Sequence, residues 1–426
     1  MKRFVHAHAT HPQWSVATAQ VVAQLRAQMA AHPDRRWPLG LLYLTDHYAA
    51  HARELLASLS AELPQVTDWA GAVALGIAAQ GVEYIDEPAL SVMLCDLAPT
   101  RYRVFHGLAP LPAVRGPDGF VPQTALVHAD PATPELPELV RELAERTVGH
   151  FVFGGLVASR AGAVQIARSS RVGLAGHGQA AAEGVWEGGL SGVAWAPDVG
   201  IVARVTQGVR AITPLRRVTA VHGHRVEALD GEPALDVVLR DLGLPAHDLG
   251  AIVARLRGTL VGWVAPAAAR TPAPPVPGRV PLRLGEDVLV RHLVGIDPAQ
   301  RALVVADELP PGAGWMLCER HVHAARADLL RIGAEVRETL AGESDADPLQ
   351  RVAGAVYVSC NGRGVTPLDV AVHPRRTKEL RWSSKTITRC WAWRATPAPT
   401  TSSGLTASWR ASTIRTSARS RTRRSA

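Results

Sequence analysis

Cysteine and long apolar runs are both scarce in this chain, and each absence excludes a class of protein. The 426 residues contain four cysteines, which are too few and too scattered for a disulfide framework, and no Cys-x-x-Cys spacing indicates zinc. No stretch reaches the roughly 18 consecutive apolar residues of a membrane span. Histidines and prolines interrupt the positively charged N-terminus where a signal peptide needs an apolar run. These absences predict a cytoplasmic protein.

The sequence also lacks the short motifs of cofactor and metal sites. Neither the GxGxxG nor the P-loop pattern occurs, which disfavours a nucleotide site. His222 and His224 stand on one side of a predicted strand, but no third metal ligand is visible. We therefore expect no cofactor and no metal, and no pattern of residues identifies a catalytic site.

The net charge of +8 comes from one end of the chain. Residues 365–426 hold 13 of the 46 basic residues but only two of the 38 acidic ones. The preceding 364 residues therefore carry 33 basic and 36 acidic side chains, a net charge of −3. A net positive charge ordinarily favours binding to nucleic acid. Here only residues 365–426 are basic, so only this tail supports nucleic acid as a partner.

One order of elements repeats along the chain: a strand, a polar turn, a helix and a strand that opens into small residues. The first copy runs from LGLLYLTDH (39–47) to TDWAGAVALGIAA (67–79), and the second from TALVHADP (124–131) to HFVFGGLVAS (150–159). A third, looser copy runs from WMLCERHV to GAVYVSC. This self-similarity predicts an α+β fold of two related domains, with mixed β-sheets layered with α-helices.

The loop CNGRG (360–364) follows the last of these strands and has three readings. Cys360 is a small buried residue and Asn361 shapes a turn, or Asn361 and Arg363 bind a carboxylate ligand, or Cys360 is a nucleophile. The third reading needs a base, for which His321 and His323 are candidates. It gives the alternative function of a cysteine-dependent hydrolase or transferase.

Two further segments are candidates for ligand contact. The glycine pairs Gly154–Gly155 and Gly188–Gly189 let a backbone approach a ligand closely, but glycine equally marks bulges and tight sheet packing. Thr206 and Gln207 offer donors and acceptors at a polar strand end, which is also consistent with a simple turn. The candidate ligand-binding residues are Gly154, Gly155, Thr206, Gln207, Asn361 and Arg363.

Several of these segments together resemble FIST proteins, in which a FIST N-terminal and a FIST C-terminal domain are paired. The resemblance rests on LGLLYLTDHYAAHARELLASLSAELPQVTDWAGAVALGI, HFVFGGLVAS, GIVARVTQGVRAITP and GAVYVSCNGRG. It implies an intracellular sensory protein that binds a small ligand, with amino acids or related metabolites as the ligand class. It implies no catalytic residues. The domains then span 14–215 and 216–364, the second being incomplete.

The chain departs from that family in two respects. No signalling output module is recognisable, so a separate signalling protein is the expected partner. After CNGRG, members of the family continue with apolar strands, whereas residues 365–426 are rich in Arg, Ser and Thr and hold two of the three lysines. The tail is a basic arm that binds nucleic acid or an acidic partner, or it is disordered or translated in a shifted reading frame. We favour the shifted frame.

Overall fold

Mixed sheets covered by helices make up the part of the chain that the structure describes. This computed structural model describes residues 4–112, 119–170, 184–266, 288–341, 351–360 and 389–394. Within them lie six α-helices and 23 β-strands. Residues 1–395 form one compact unit. The predicted α+β class is confirmed, and among the described residues no helix is long and apolar enough to cross a membrane.

The first sheet has six strands and two covering helices. Its strand order is β1 (Val5–Thr10), β6 (Ala89–Cys95), β2 (Leu39–Thr45), β3 (Asp68–Ala74), β10 (Gln165–Arg168) and β11 (Val185–Trp186). Helices α1 (Trp14–Ala30) and α2 (Ala52–Glu62) pack on one face through residues such as Val21, Leu25 and Leu56. A small hairpin, β4 (Gly76–Ala79) and β5 (Val82–Ile85), leads from β3 to β6.

The second sheet has four strands and packs face to face on the first. Its strand order is β7 (Tyr102–Phe105), β12 (Leu190–Trp195), β8 (Thr124–Ala129) and β9 (Val152–Leu156), with α3 (Leu136–Glu145) between β8 and β9. A shared apolar layer joins the sheets and includes Leu41 and Ala70 of the first with Leu126, Val193 and Trp195 of the second. Burial on both faces explains why LGLLYLT and TALVHA read as continuous apolar runs.

The predicted repeat is visible in these two sheets. In both, a strand leads through a helix to a parallel neighbour, β2 to β3 and β8 to β9. In both, an antiparallel strand, β6 or β12, lies on the other side of the first strand. The third copy differs within the described residues, because its two strands pair with other strands and not with each other.

A closed barrel of six strands dominates the second half. Its strands pair in the circular order β15 (Arg216–His222), β16 (Arg225–Leu229), β20 (Ala302–Val305), β19 (Val288–Asp297), β18 (Leu260–Val264) and β21 (Gly314–Arg320). Short strands β14 (Val209–Ala211) and β17 (Glu232–Pro233) pair with β21 and β16. Helices α4 (Ala234–Leu242), which ends at Gly243 in the left-handed region, and α5 (Leu249–Leu256), capped by Asp248, contribute to its core.

A long helix and a small sheet complete the described residues. Helix α6 (Val322–Ala341) follows β21. Strand β13 (Gly200–Arg204) pairs with β23 (Arg389–Arg394), which also pairs with β22 (Tyr357–Val358). Strand β23 thus lies in the segment 365–426 that we predict to be disordered or frameshifted. The rest of that segment lies outside the described residues.

The substitution Gly154→Ala tests the close approach of β9 to β8. The added β-carbon would lie 1.8 Å from the carbonyl oxygen of Val127, and φ of Gly154 is +137°. We expect the free energy of unfolding to fall by roughly 3 kcal/mol or more, from strain and overpacking together. Urea denaturation measures it.

Gly162→Ala is the matched control for that substitution. Gly162 also has a positive φ, +116°, but no atom lies within 4 Å of the position that a β-carbon would take there. Only backbone strain, on the order of 1 kcal/mol, is therefore expected. Equal losses in the two variants would show that the approach of the strands is not the constraint.

Candidate ligand-binding site

A row of side chains crosses the first sheet on the face that meets the second sheet. Cross-strand pairing aligns its members one after another: His8 with Ser91, Ser91 with Tyr43, Tyr43 with Ala72, Ala72 with Gln165, and Gln165 with Trp186. Paired residues project from the same face of a sheet, and Tyr43 and Trp186 both pack on the layer between the sheets. These six residues are called the first row.

A second row faces it from the other sheet. His128 pairs with Ser191 on one side and with Gly155 on the other. The pairing of β7 with β12 ends at Phe105 and Gly192, so His106 and Ser191 are the next neighbours outward. Leu126 lies in the layer between the sheets, and His128, two residues further along β8, projects to the same side. His106, Ser191, His128 and Gly155 form the second row.

Two contacts join the rows across the layer, and a third joins the first row to the segment that precedes β12. Tyr43 Oη lies 3.1 Å from His128 Nε2. The rings of His106 and Trp186 stack with centroids 4.0 Å apart. Gln165 Nε2 donates to the carbonyl oxygens of residues 188 and 189, at 3.1 and 3.4 Å. Because the first two contacts fix His128 and His106, the neighbours of Ser191 on either side in the second row, Ser191 faces the Ala72–Gln165 part of the first row.

Three buried polar atoms of the rows have no hydrogen-bond partner among the residues that the structure describes. They are Nδ1 of His128, Oγ of Ser191 and Oε1 of Gln165, whose residues are 6%, 1% and 0% exposed. Leaving such an atom without a partner costs about 1–3 kcal/mol. Other such atoms, for example Nε1 of Trp69 and of Trp315, belong to separate apolar cores. The clustering of three of them between the rows indicates a place where a small polar molecule can bind.

The protonation states of Tyr43 and His128 determine which of their polar atoms donate and which accept hydrogen bonds. Burial raises the pKa of Tyr43 well above its ordinary value and lowers the pKa of His128 to about 4. Both side chains are therefore uncharged at neutral pH. A phenol is a good donor, and we assign its proton to the bond with His128 Nε2, which leaves the imidazole proton on Nδ1. The site then offers an N–H donor, a hydroxyl, and a carbonyl acceptor on Gln165.

A glycine turn covers one end of the rows. Gly188 and Gly189, with φ of +78° and +65°, connect β11 of the first sheet with β12 of the second. The backbone N–H groups of the two glycines donate to Asp130 Oδ2 at 3.1 Å and Thr133 Oγ1 at 2.9 Å. Their carbonyl oxygens accept from Gln165. The described contacts of the turn are thus hydrogen bonds with uncharged groups and with one carboxylate.

The equivalent end of β2 is closed by an ion pair. Asp46 follows β2 as Asp130 follows β8, and Arg160 donates to both its carboxylate oxygens at 2.8 Å. Arg160 also binds Asp86 at 2.6 Å. Burial alone raises the pKa of Asp46, but the hydrogen bonds from Arg160 outweigh it, so this pKa lies below its usual range. The two equivalent strand ends therefore differ in charge and in strength of closure.

Gly154 and Gly155, the glycine pair predicted from the sequence, have different roles in the structure. Gly155 lies in the second row beside His128. Gly154 projects to the other face, where Val127 leaves no space for a side chain. The other residues of the rows, above all His128, Ser191 and Gln165, were not predicted. Their sequence signal was a polar residue at an inward-facing position of an otherwise apolar strand.

Thr206 and Gln207 lie elsewhere, between β13 and β14. Gln207 donates its backbone N–H to Asp328 of α6 at 2.7 Å, and the next residue, Gly208, accepts from the backbone of His321. Thr206 is 2% exposed. These contacts attach the segment to α6, so the structure does not bring it together with the rows.

The CNGRG loop is described only at its first residue. Asn361 and Arg363 lie outside the described residues. Cys360 is buried, and Arg320 donates to its Sγ at 3.8 Å. His321 Nδ1 accepts from the backbone of its own helix at 3.4 Å. Within the described residues, the polar neighbour of Cys360 is thus an arginine.

Comparison with known protein families agrees with this architecture. The FIST N domain matches residues 38–232, and the FIST C domain matches residues 234–386. The chain belongs to the FIST family. The candidate rows lie in its FIST N domain, apart from His8 of the first row, which precedes the match.

Curated relatives of this FIST protein occur in Mycobacterium tuberculosis. The uncharacterized protein Rv0628c of strain H37Rv is 29% identical over 382 residues, which cover 85% of this chain and 88% of the relative. The uncharacterized protein MT0656 of strain CDC 1551 gives the same values. The similarity therefore extends over both domains.

Ser191→Ala is expected to stabilise this FIST protein when no ligand is bound. The substitution removes a buried hydroxyl that has no partner in the described part of the chain, so the free energy of unfolding should rise by about 0.5–1 kcal/mol. Urea denaturation of protein refolded without small molecules measures it.

Thr45→Val is the control for that substitution. Thr45 is also fully buried, but its hydroxyl accepts from the backbone N–H of Ala89 at 2.8 Å. Removing it should cost about 1–3 kcal/mol. A loss of this size in Ser191→Ala would contradict the assignment of Ser191 as an unpartnered group.

Acid is expected to destabilise the protein through His128. Its pKa falls from 6.5 to about 4 on folding, so between these values the unfolded chain binds more protons than the folded one. The free energy of unfolding should therefore decrease as pH falls from 6.5 to 4, by about 3 kcal/mol over the whole window. Denaturation in guanidinium chloride at several pH values measures this slope.

The substitution His128→Gln isolates the contribution of His128 to acid destabilisation, because glutamine does not titrate and can still form a hydrogen bond with Tyr43. Burial also lowers the pKa of His6 and of His292, but both remain in the variant. The variant should lose less stability than the parent on acidification. Parallel slopes would show that His128 is accessible to protons in the folded state.

Proposed function

We propose that this protein is a sensor that binds a small polar molecule between the two rows and signals through a separate partner protein. The observation that carries the proposal is the cluster of three buried polar atoms without partners, on His128, Ser191 and Gln165. Sensory modules of the FIST family are expected to bind amino acids or related metabolites. A ligand that supplies the missing hydrogen bonds offsets the cost of burying these atoms.

Signalling requires that the ligand favours one conformation over another. The glycine turn is the element that we propose responds, because it connects the two sheets and covers the end of the rows. Opening breaks hydrogen bonds to Asp130, Thr133 and Gln165 but, among the described contacts, no ion pair. A ligand bound beneath the turn would stabilise the closed form, which the partner protein would then distinguish from the open one.

The second candidate function is catalysis by Cys360. The observation that favours it is the Arg320 guanidinium, which lies 3.8 Å from the Cys360 Sγ. Catalysis also needs a general base for the substrate, and the described contacts of the His321 side chain are with residues of helix α6. We therefore prefer binding to catalysis. Ligand binding that survives Cys360→Ala would separate the two functions.

A thermal-shift screen of the full chain against amino acids and other small polar metabolites tests the proposal. One ligand class should raise the melting temperature with the logarithm of its concentration above Kd, which corresponds to a stabilisation of about 2.7 kcal/mol at a hundredfold excess over Kd. Gln165→Leu should abolish this shift.

Gln207→Leu is the matched control, since it removes a side-chain amide from the segment that the sequence predicted and the structure separates from the rows. It should leave the ligand-induced shift unchanged. A shift that depends on Gln207 and not on Gln165 or Ser191 would place the ligand elsewhere and refute the proposed site.

A further inference from the structure

Apart from the histidines, no side chain in the two rows carries a charge at neutral pH. Their members are His8, Ser91, Tyr43, Ala72, Gln165 and Trp186 in the first row, and His106, Ser191, His128 and Gly155 in the second. His128, the histidine at the unpartnered atoms, is uncharged for the reason given above. A charge buried here would therefore meet no opposite charge within the rows, which is costly.

Two carboxylates that follow the central strands, Asp130 after β8 and Asp46 after β2, are already engaged. Asp130 accepts from the backbone of Gly188 and of Ala132. Asp46 is paired with Arg160, which also binds Asp86. These groups are thus occupied by contacts within the protein. A ligand ammonium or carboxylate would gain little from them without breaking those contacts first.

The unpartnered atoms instead form a neutral donor and acceptor pair. His128 and Ser191 are cross-strand partners, so their polar groups lie side by side and can both donate to one carbonyl oxygen. Gln165 Oε1 can only accept, and it faces them from the opposite sheet. Ala72 and Gly155 are the smallest residues of the rows and pair with Tyr43 and His128 respectively.

We propose that the ligand is a small uncharged molecule with an amide-type edge, whose carbonyl oxygen binds His128 and Ser191 and whose N–H group binds Gln165. This inference rests on the proposed function and narrows its ligand class. A free amino acid, with its carboxylate and ammonium groups, fits these rows less well than a primary amide or a lactam.

Matched probes test this ligand class on the full chain, refolded without small molecules. Acetamide and 2-pyrrolidinone are the neutral probes, and acetate and glycine are the charged ones. Ligand-observed NMR titration should show that the amides bind at least tenfold more tightly than the charged probes. Ser191→Ala should weaken amide binding by about tenfold.

Thr18→Ala is the control variant for these titrations. Its hydroxyl is as buried as that of Ser191, but it donates to the backbone of its own helix, α1, on the other side of the first sheet. Amide binding should be unchanged in this variant. Equal weakening in the two variants, or none in Ser191→Ala, would overturn the assignment.

The remaining outcomes separate this inference from the proposed function. If acetate or glycine binds as tightly as the amides and still depends on Ser191, the amide class is wrong and the ligand site stands. If no probe and no metabolite binds to the folded protein, both are refuted, and ordered water satisfies the three atoms instead.

Discussion

The packing of two sheets on one shared layer is the constraint on which the rest of the structure depends. Side chains alternate between the two faces of a strand, so the register of each strand decides which residues enter that layer. In β8, Leu126 and His128 face the other sheet while Ala125 and Val127 face α3. A shift of one residue would exchange these sets and place the imidazole against the helix.

Because of the same alternation, the layer between the sheets is apolar in its middle and polar at one end. Leu41, Leu126 and Val193 fill the middle of the layer. The polar residues lie two positions away on the same strands: Tyr43 follows Leu41, His128 follows Leu126, and Ser191 precedes Val193. The apolar part holds the sheets together. The polar part contributes little to that cohesion and even costs free energy, which is typical of a functional site within a stable scaffold.

The sequence was sufficient for the repeat and the fold class, because both depend on local patterns. Apolar runs, polar turns and helical spacing predicted the strand–helix–strand units of the first two copies. The site depends on pairing between distant segments. Gln165 is a neighbour of Tyr43 only through Ala72, and none of these three residues is near the others in sequence. Glycine pairs were visible, but which member faces a site requires the register, as Gly154 and Gly155 show.

The ends of β2 and β8 are closed by different interactions, and for the proposed function this difference affects how many ligands one chain binds. A fold with two similar units could in principle carry two similar sites. Here the end of β2 is sealed by a guanidinium on a buried carboxylate, whereas the end of β8 is covered by a turn of two glycines. Among the described contacts, only the second can open without separating a buried charge from its partner. The two units are thus asymmetric, and the proposed site corresponds to one ligand per chain with a simple hyperbolic isotherm.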